Sequence, residues 1–188
     1  MIRFAVTFLV VLGTLFYLYV LGPVQEAVIL PFTSGLAHLC TWLVNAFDAS
    51  VHAAGKVISD PSGWAVSIEP GCNGVEAVII LAAAIVAFPA SWRQRLLGFG
   101  LGFLAIQALN VVRIISLFYI GQWEHEHCVQ GVECKTPVFD WFHLYLWQAL
   151  IILDALVVWL IWLRYLPRPT RAQQGPPGTL PPAHGAVA

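Results

Sequence analysis

Charge is scarce in this 188-residue sequence: Asp, Glu, Lys and Arg together supply 10% of it. A soluble domain carries roughly 25%. That deficit, with 59% hydrophobic residues and a mean hydropathy of +0.78, excludes an ordinary soluble fold and points to an integral membrane protein. A net charge of −1 gives no basic surface for nucleic acid. Lysine is limited to Lys56 and Lys135, and cysteine to four positions. There is no internal repeat.

The apolar residues fall in runs. Residues 4–21 form the first, too long for a typical signal-peptide core and without a small-residue cleavage site before Pro23, so it reads as a retained helix. Residues 73–90, 96–120 and 141–166 are the other runs able to cross a ~30 Å hydrocarbon core. Arg3, Arg93, Arg95, Arg164, Arg168 and Arg171 flank one side of these runs, while most acids and both lysines fall in the other loops. The positive-inside rule then places both termini and the 91–95 loop in the cytoplasm, and residues 22–72 and 121–140 outside. Residues 27–47 are apolar but interrupted by Pro31, Ser34, Gly35, His38 and Thr41. They read as an interfacial or re-entrant helix on the outer face, with a fifth span as the alternative. The expectation is an all-α membrane bundle of about four helices, possibly five, with an outer interfacial helix and a small β-hairpin. The hairpin is read from "KVIS" and "WAVSIE" around "DPSG". Residues 1–166 form a single membrane-embedded domain, and the Pro- and Gly-rich segment 167–188 is expected to be a disordered cytoplasmic tail.

This topology brings distant polar residues together. In "EPGCNGVEAVII", Cys72 stands at the outer start of a span, with Glu76 four residues later on the same helix face. Arg113 lies 17 residues beyond Leu96, about 26 Å up its helix at ~1.5 Å per residue, near the outer leaflet. Asn110 sits one turn deeper on the same face. His143 opens the last span. Ionisable groups in spans are costly and are functional candidates by default. Each also has a plainer reading: a small packing residue for Cys72, a snorkelling ring for His143, a structural Arg113–Glu76 ion pair. A thiol at a helix N-terminus has its pKa lowered by the helix dipole. An imidazole can carry its proton to a leaving amine, and a guanidinium can stabilise a tetrahedral oxyanion. Together they describe acyl transfer through a thioester.

"GCNGVE", "NVVRI" and "FHLYLW", in this order on successive spans, resemble the exosortase/archaeosortase family over roughly residues 50–165. The family's cysteine segment is most often Cys-Ser-Gly and here is Cys-Asn-Gly. The short "GCNGVEA" chain resembles the exosortase H type, associated with signals of the IPTL type. The resemblance implies a membrane cysteine transpeptidase or endopeptidase that cleaves C-terminal sorting signals of exported proteins at the outer face of the bacterial inner membrane. Such signals comprise a short motif, a transmembrane helix and a basic cluster. It implies Cys72 as nucleophile, Arg113 as transition-state or substrate stabiliser and His143 as general acid/base. Asn110, which would orient the arginine, Glu76 and Asn73 are the expected substrate-binding residues. No cofactor is implied, and the partners are substrate proteins and membrane lipids.

In the outer segment "WEHEHCVQGVECKTPVFD", a Cys128–Cys134 disulfide is expected outside the cytoplasm. The alternative is a metal site of His125, His127 and these cysteines. Cys40 reads as packing, Asp140 as the cap of the last helix in preference to a residue orienting the His143 imidazole, and Trp92, Trp162, Trp123 and Trp141 as interface anchors. Asp154 lies near mid-membrane with no evident partner. Two other functions compete: a metal-binding membrane protein using the 123–140 loop, and a non-catalytic assembly subunit.

Overall fold

The computed structural model describes residues 2–128 and 138–166, with the side chains of Cys128 and Gln148 excepted. Cys134, and with it the expected disulfide, lies outside the described residues, as does the 167–188 tail. Five helices and one small sheet make up the rest. They are α1 (Ile2–Val20), α2 (Gly22–Val44), β1 (His52–Ala54), β2 (Val57–Ser59), β3 (Ala65–Ser67), α3 (Val75–Ala87), α4 (Trp92–Cys128) and α5 (Val138–Tyr165).

Four helices, α1, α2, α4 and α5, are long and apolar enough to cross a membrane. The set differs from the sequence expectation at two places. Residues 22–44 form one continuous helix that meets the criterion, and the run 73–90 contains only the 13-residue helix α3. The shortening of α3 has local causes. Gly71 and Gly74 take left-handed φ at its start, and Phe88 is extended at its end because Pro89 follows it.

Contacts give the direction of each helix. Tyr19 meets Glu76 at one end of the α1–α3 pair and Phe4 meets Phe88 at the other, so the two run antiparallel over the same height. The short helix and its extended flanks therefore match a 19-residue neighbour. Arg95 bonds the Phe88 carbonyl and Gln107 the Asn73 carbonyl, making α4 antiparallel to α3. Trp162 bonds the Gln94 carbonyl at one end of the α4–α5 pair, and Phe139 bonds Glu124 at the other. Early in α2, Phe32 meets Phe103; further along, Leu36, Ala37, Cys40 and Val44 share a core with Val111, Ile114 and Phe118 of α4. Helices α1, α2 and α4 thus all run the same way. Because α2 continues in the direction of α1 and does not return, it leaves the sense of the later helices unchanged.

The hairpin of the sequence reading is the β2–β3 half of a three-stranded antiparallel sheet in order β1-β2-β3. Its turn is fastened by Asp60, whose Oδ1 accepts from the Ser62 amide and hydroxyl and the Trp64 amide. The first strand, His52–Ala54, carries too few apolar residues to announce itself.

Helix α4 has 37 residues, about 55 Å at ~1.5 Å per residue, well beyond a ~30 Å hydrocarbon core. Its last turns, expected as loop, carry the sheet. The Trp64 indole donates to the Phe118 carbonyl at 3.1 Å, and Gln122 donates to Asp60 Oδ2 at 2.7 Å. Gly121 permits this docking: a Cβ there would lie 2.0 Å from the Trp64 ring. Cys40 is wholly buried in this core, as expected of a packing residue.

Candidate active site

The turn between β3 and α3 presents the thiol. Cys72 is half-buried, two residues before Gly74, which occupies the helix N-cap position with φ 74°. A Cβ on Gly74 would meet Gln107 and Asn110 side-chain atoms at 3.1–3.3 Å, so both backbone and space favour glycine there. The Gly71 peptide is held from both sides. Its N–H donates to Glu76 Oε1 at 2.7 Å, and its carbonyl accepts from Arg113 Nη1 at 3.2 Å. Tyr19 donates its hydroxyl to the same Glu76 oxygen at 2.6 Å.

Held in this way, Cys72 Sγ lies 2.8 Å from His143 Nε2 and 3.5 Å from Arg113 Nη2. Three residues separated by up to 71 positions meet at one point. Arg113 is 1% exposed; its Nη1 and Nη2 donate to the Gly71 carbonyl and the sulfur, while its Nε has no partner among the described residues. His143 stands in a π-helical turn, Phe142–Leu146, at the start of α5. Such turns insert an extra residue and re-aim a side chain; this one presents the ring to the thiol. Phe139 packs against the imidazole at 5.6 Å between ring centroids.

Burial pushes the Cys72 thiol above its ordinary range; the Arg113 charge pulls it down, and the Glu76 and Glu69 carboxylates push it up. This corrects the helix-dipole expectation. Cys72 precedes the N-cap, and its amide bonds back to the Glu69 carbonyl. The groups placed to activate the thiol are His143 and Arg113.

Other expectations also change. Glu76 is not hydrogen-bonded to Arg113; its carboxylate holds Gly71 and Tyr19. Asn73, expected to face substrate, is wholly buried, donating to Thr33 Oγ1 and accepting from the Val75 amide. Asn110 is 4% exposed, and neither amide atom has a partner among the described residues. It lines a cavity of about 10 Å³ with Arg113, Trp147 and Asp154, without the expected bond to the arginine. Asp140 does not cap α5: the Glu124 carboxylate accepts from the Phe139 amide at 3.0 Å. Trp162 is buried against α4 rather than an interface anchor, whereas Trp92, Trp123 and Trp141 are exposed. His127 bonds the Trp123 carbonyl and His125 packs on Trp64. Among the described residues no group of three or more His, Cys, Asp or Glu is placed to hold a metal ion.

Sequence reasoning missed Tyr19, Thr33, Gln107 and Phe139. Only a polar group inside an apolar run marked the first three, and nothing in the sequence marks which neighbour such a group will meet.

The family model described as transmembrane exosortase (Exosortase_EpsH) matches residues 2–153, which hold every residue of this site. The chain belongs to the transmembrane exosortase family. No curated protein and no solved structure matches it. The matched segment of this exosortase takes in the three motifs through which its sequence resembled the family, and its apolar helices make it a multi-pass membrane protein.

Proposed function

We propose that this exosortase is a cysteine transpeptidase that cleaves C-terminal sorting signals of exported proteins. It works at the outer face of the bacterial inner membrane, with Cys72, His143 and Arg113 as its catalytic residues. The observation that carries the reading is the 2.8 Å approach of Cys72 Sγ to His143 Nε2, with Arg113 Nη2 at 3.5 Å from the same sulfur.

In this mechanism Sγ attacks the scissile carbonyl carbon as its proton passes to His143 Nε2. The oxyanion that forms is met by Arg113, a charge-assisted donor. Collapse breaks the C–N bond, and Nε2–H gives its proton to the leaving amine. The thioester is then attacked by a second nucleophile, an acceptor amine or water, whose proton His143 takes. Collapse of that second tetrahedral intermediate returns the proton to sulfur. Glu76 and Tyr19 are positioning residues, acting through Gly71.

The test is co-expression of a tagged substrate bearing a motif, a transmembrane helix and a basic cluster with wild-type enzyme and with Cys72→Ala, Arg113→Ala and His143→Ala at matched membrane levels. The expected result is a shortened substrate with wild type alone. Full processing by Cys72→Ala overturns the assignment.

A further inference from the structure

Among the described residues, the sheet ends near the thiol in an edge that no strand covers. In the order β1-β2-β3, the outer side of β3 has no neighbouring strand among the described residues. The hydrogen-bonding phase of β3 is fixed by the bonds from Ile68 N to Lys56 O and from Asp60 N to Trp64 O. With the register Ile58↔Val66, residues 64, 66 and 68 direct their backbone polar groups to β2. Alternation in an antiparallel ladder therefore turns the N–H and C=O of Ala65 and Ser67 outward. Both residues are exposed. An edge of this kind is a template for another extended chain.

Position makes this edge more than a surface. Val66 and Ser67 line the same cavity, of about 40 Å³, as Cys72, Arg113, Phe139 and His143. Strand β3 starts near Gln122 of α4, through Asp60, and continues by residues 68–71 to the turn held by Arg113. It therefore descends along α4 toward the thiol. We infer that an extended segment of the substrate pairs with the open edge of β3 through the backbone of Ala65 and Ser67, delivering the scissile carbonyl to Cys72. This rests on the proposed function, which supplies a substrate whose chain descends into a membrane helix. Such a chain runs the same way as β3, so the added strand is parallel. Main-chain pairing recognises an extended peptide with little demand on its side chains. The occupant is the peptide segment just before the cleaved bond.

Two experiments test this in membranes containing the full chain. In the first, Ser67→Pro removes an outward N–H and leaves the β2 ladder intact, as proline is tolerated on edge strands. The expected outcome is a roughly 10-fold fall in substrate cleavage, the scale of losing one intermolecular hydrogen bond, with Cys72 alkylation unchanged. Wild-type cleavage by Ser67→Pro overturns the inference. In the second, Cys72→Ala/Ser67→Cys enzyme is oxidatively cross-linked to substrates carrying single cysteines through the segment before the cleaved bond. Cross-links at every second position are expected, since side chains on one face of a strand alternate. Cleavage without alternating cross-links leaves the proposed function standing and removes the edge-pairing. Alternating cross-links with no cleavage by wild type do the reverse.

Discussion

Cys72 is a half-buried thiol whose titration is pushed up chiefly by burial, with three charges around it opposing or adding to that push. Alkylation of the Cys72 peptide, followed by mass spectrometry across a pH series, is expected to rise with a midpoint above that of an ordinary thiol, because burial disfavours the thiolate. The sign for each neighbour follows from its charge. Arg113→Ala removes a cation that favours the thiolate, so the midpoint moves further up. Glu76→Gln removes an anion that disfavours it, so the midpoint moves down. An unchanged midpoint in both variants would show that these charges do not reach the sulfur. Glu76 also has a positional role that the charge change does not touch. The side-chain amide of the Glu76→Gln variant still offers an oxygen to the Gly71 N–H, while Glu76→Ala leaves that donor unmet, at a cost of about 1–3 kcal/mol. Substrate cleavage is therefore expected to fall roughly 5-fold or more in Glu76→Ala and to survive in Glu76→Gln.

Two elements hold the site by their shape rather than their chemistry. The π-helical turn Phe142–Leu146 carries His143. Deleting Leu144 restores α-helical winding and rotates the segment before it by about 100° relative to the rest of α5. The imidazole then leaves the thiol, and cleavage is expected to fall to the level of His143→Ala while the membrane level stays comparable. The second element is the extension of α4 that carries the sheet. Gly121→Ala places a methyl against the Trp64 ring, where no space exists. The expected destabilisation is about 1–3 kcal/mol, the usual range for overpacking, read as a lower unfolding temperature in detergent. Trp64→Ala in the same background removes the clash and is expected to recover part of that loss, which separates a packing conflict from a backbone effect of the alanine.

At the scale of the whole molecule, three helices running one way and two running the other bring the starts of α3 and α5 to the upper half of α4. The β-sheet turn and the 88–91 loop lie at opposite ends. Single cysteines at Ser62 and Ser91 are expected to label from opposite faces of sealed membrane vesicles, and one at Ser50 from the same face as Ser62. Labelling of Ser50 and Ser62 from different faces would show that the chain between α2 and β3 crosses, contrary to the shared direction of α1 and α2.

Much of this was legible in the residues. The deficit of charge determined a membrane protein, the arginine distribution determined its expected sidedness, and run lengths placed Cys72, Arg113 and His143 at one depth. Those readings depend on solvation, which acts on each segment nearly independently of its neighbours. Depth alone does not make contact. The 2.8 Å approach of thiol to imidazole, the two-sided grip on Gly71 and the replacement of an Arg113–Glu76 pair by Tyr19–Glu76 required the packing of α1, α3, α4 and α5 together. So did the third strand and the long α4, since both gain their support from Trp64 and Gln122 across the chain. Hydropathy assigns a residue its solvent, whereas a hydrogen bond needs a partner within about 3 Å in the right direction. The choice of partner is made by the packing of distant segments, and so it was decided only by the tertiary structure.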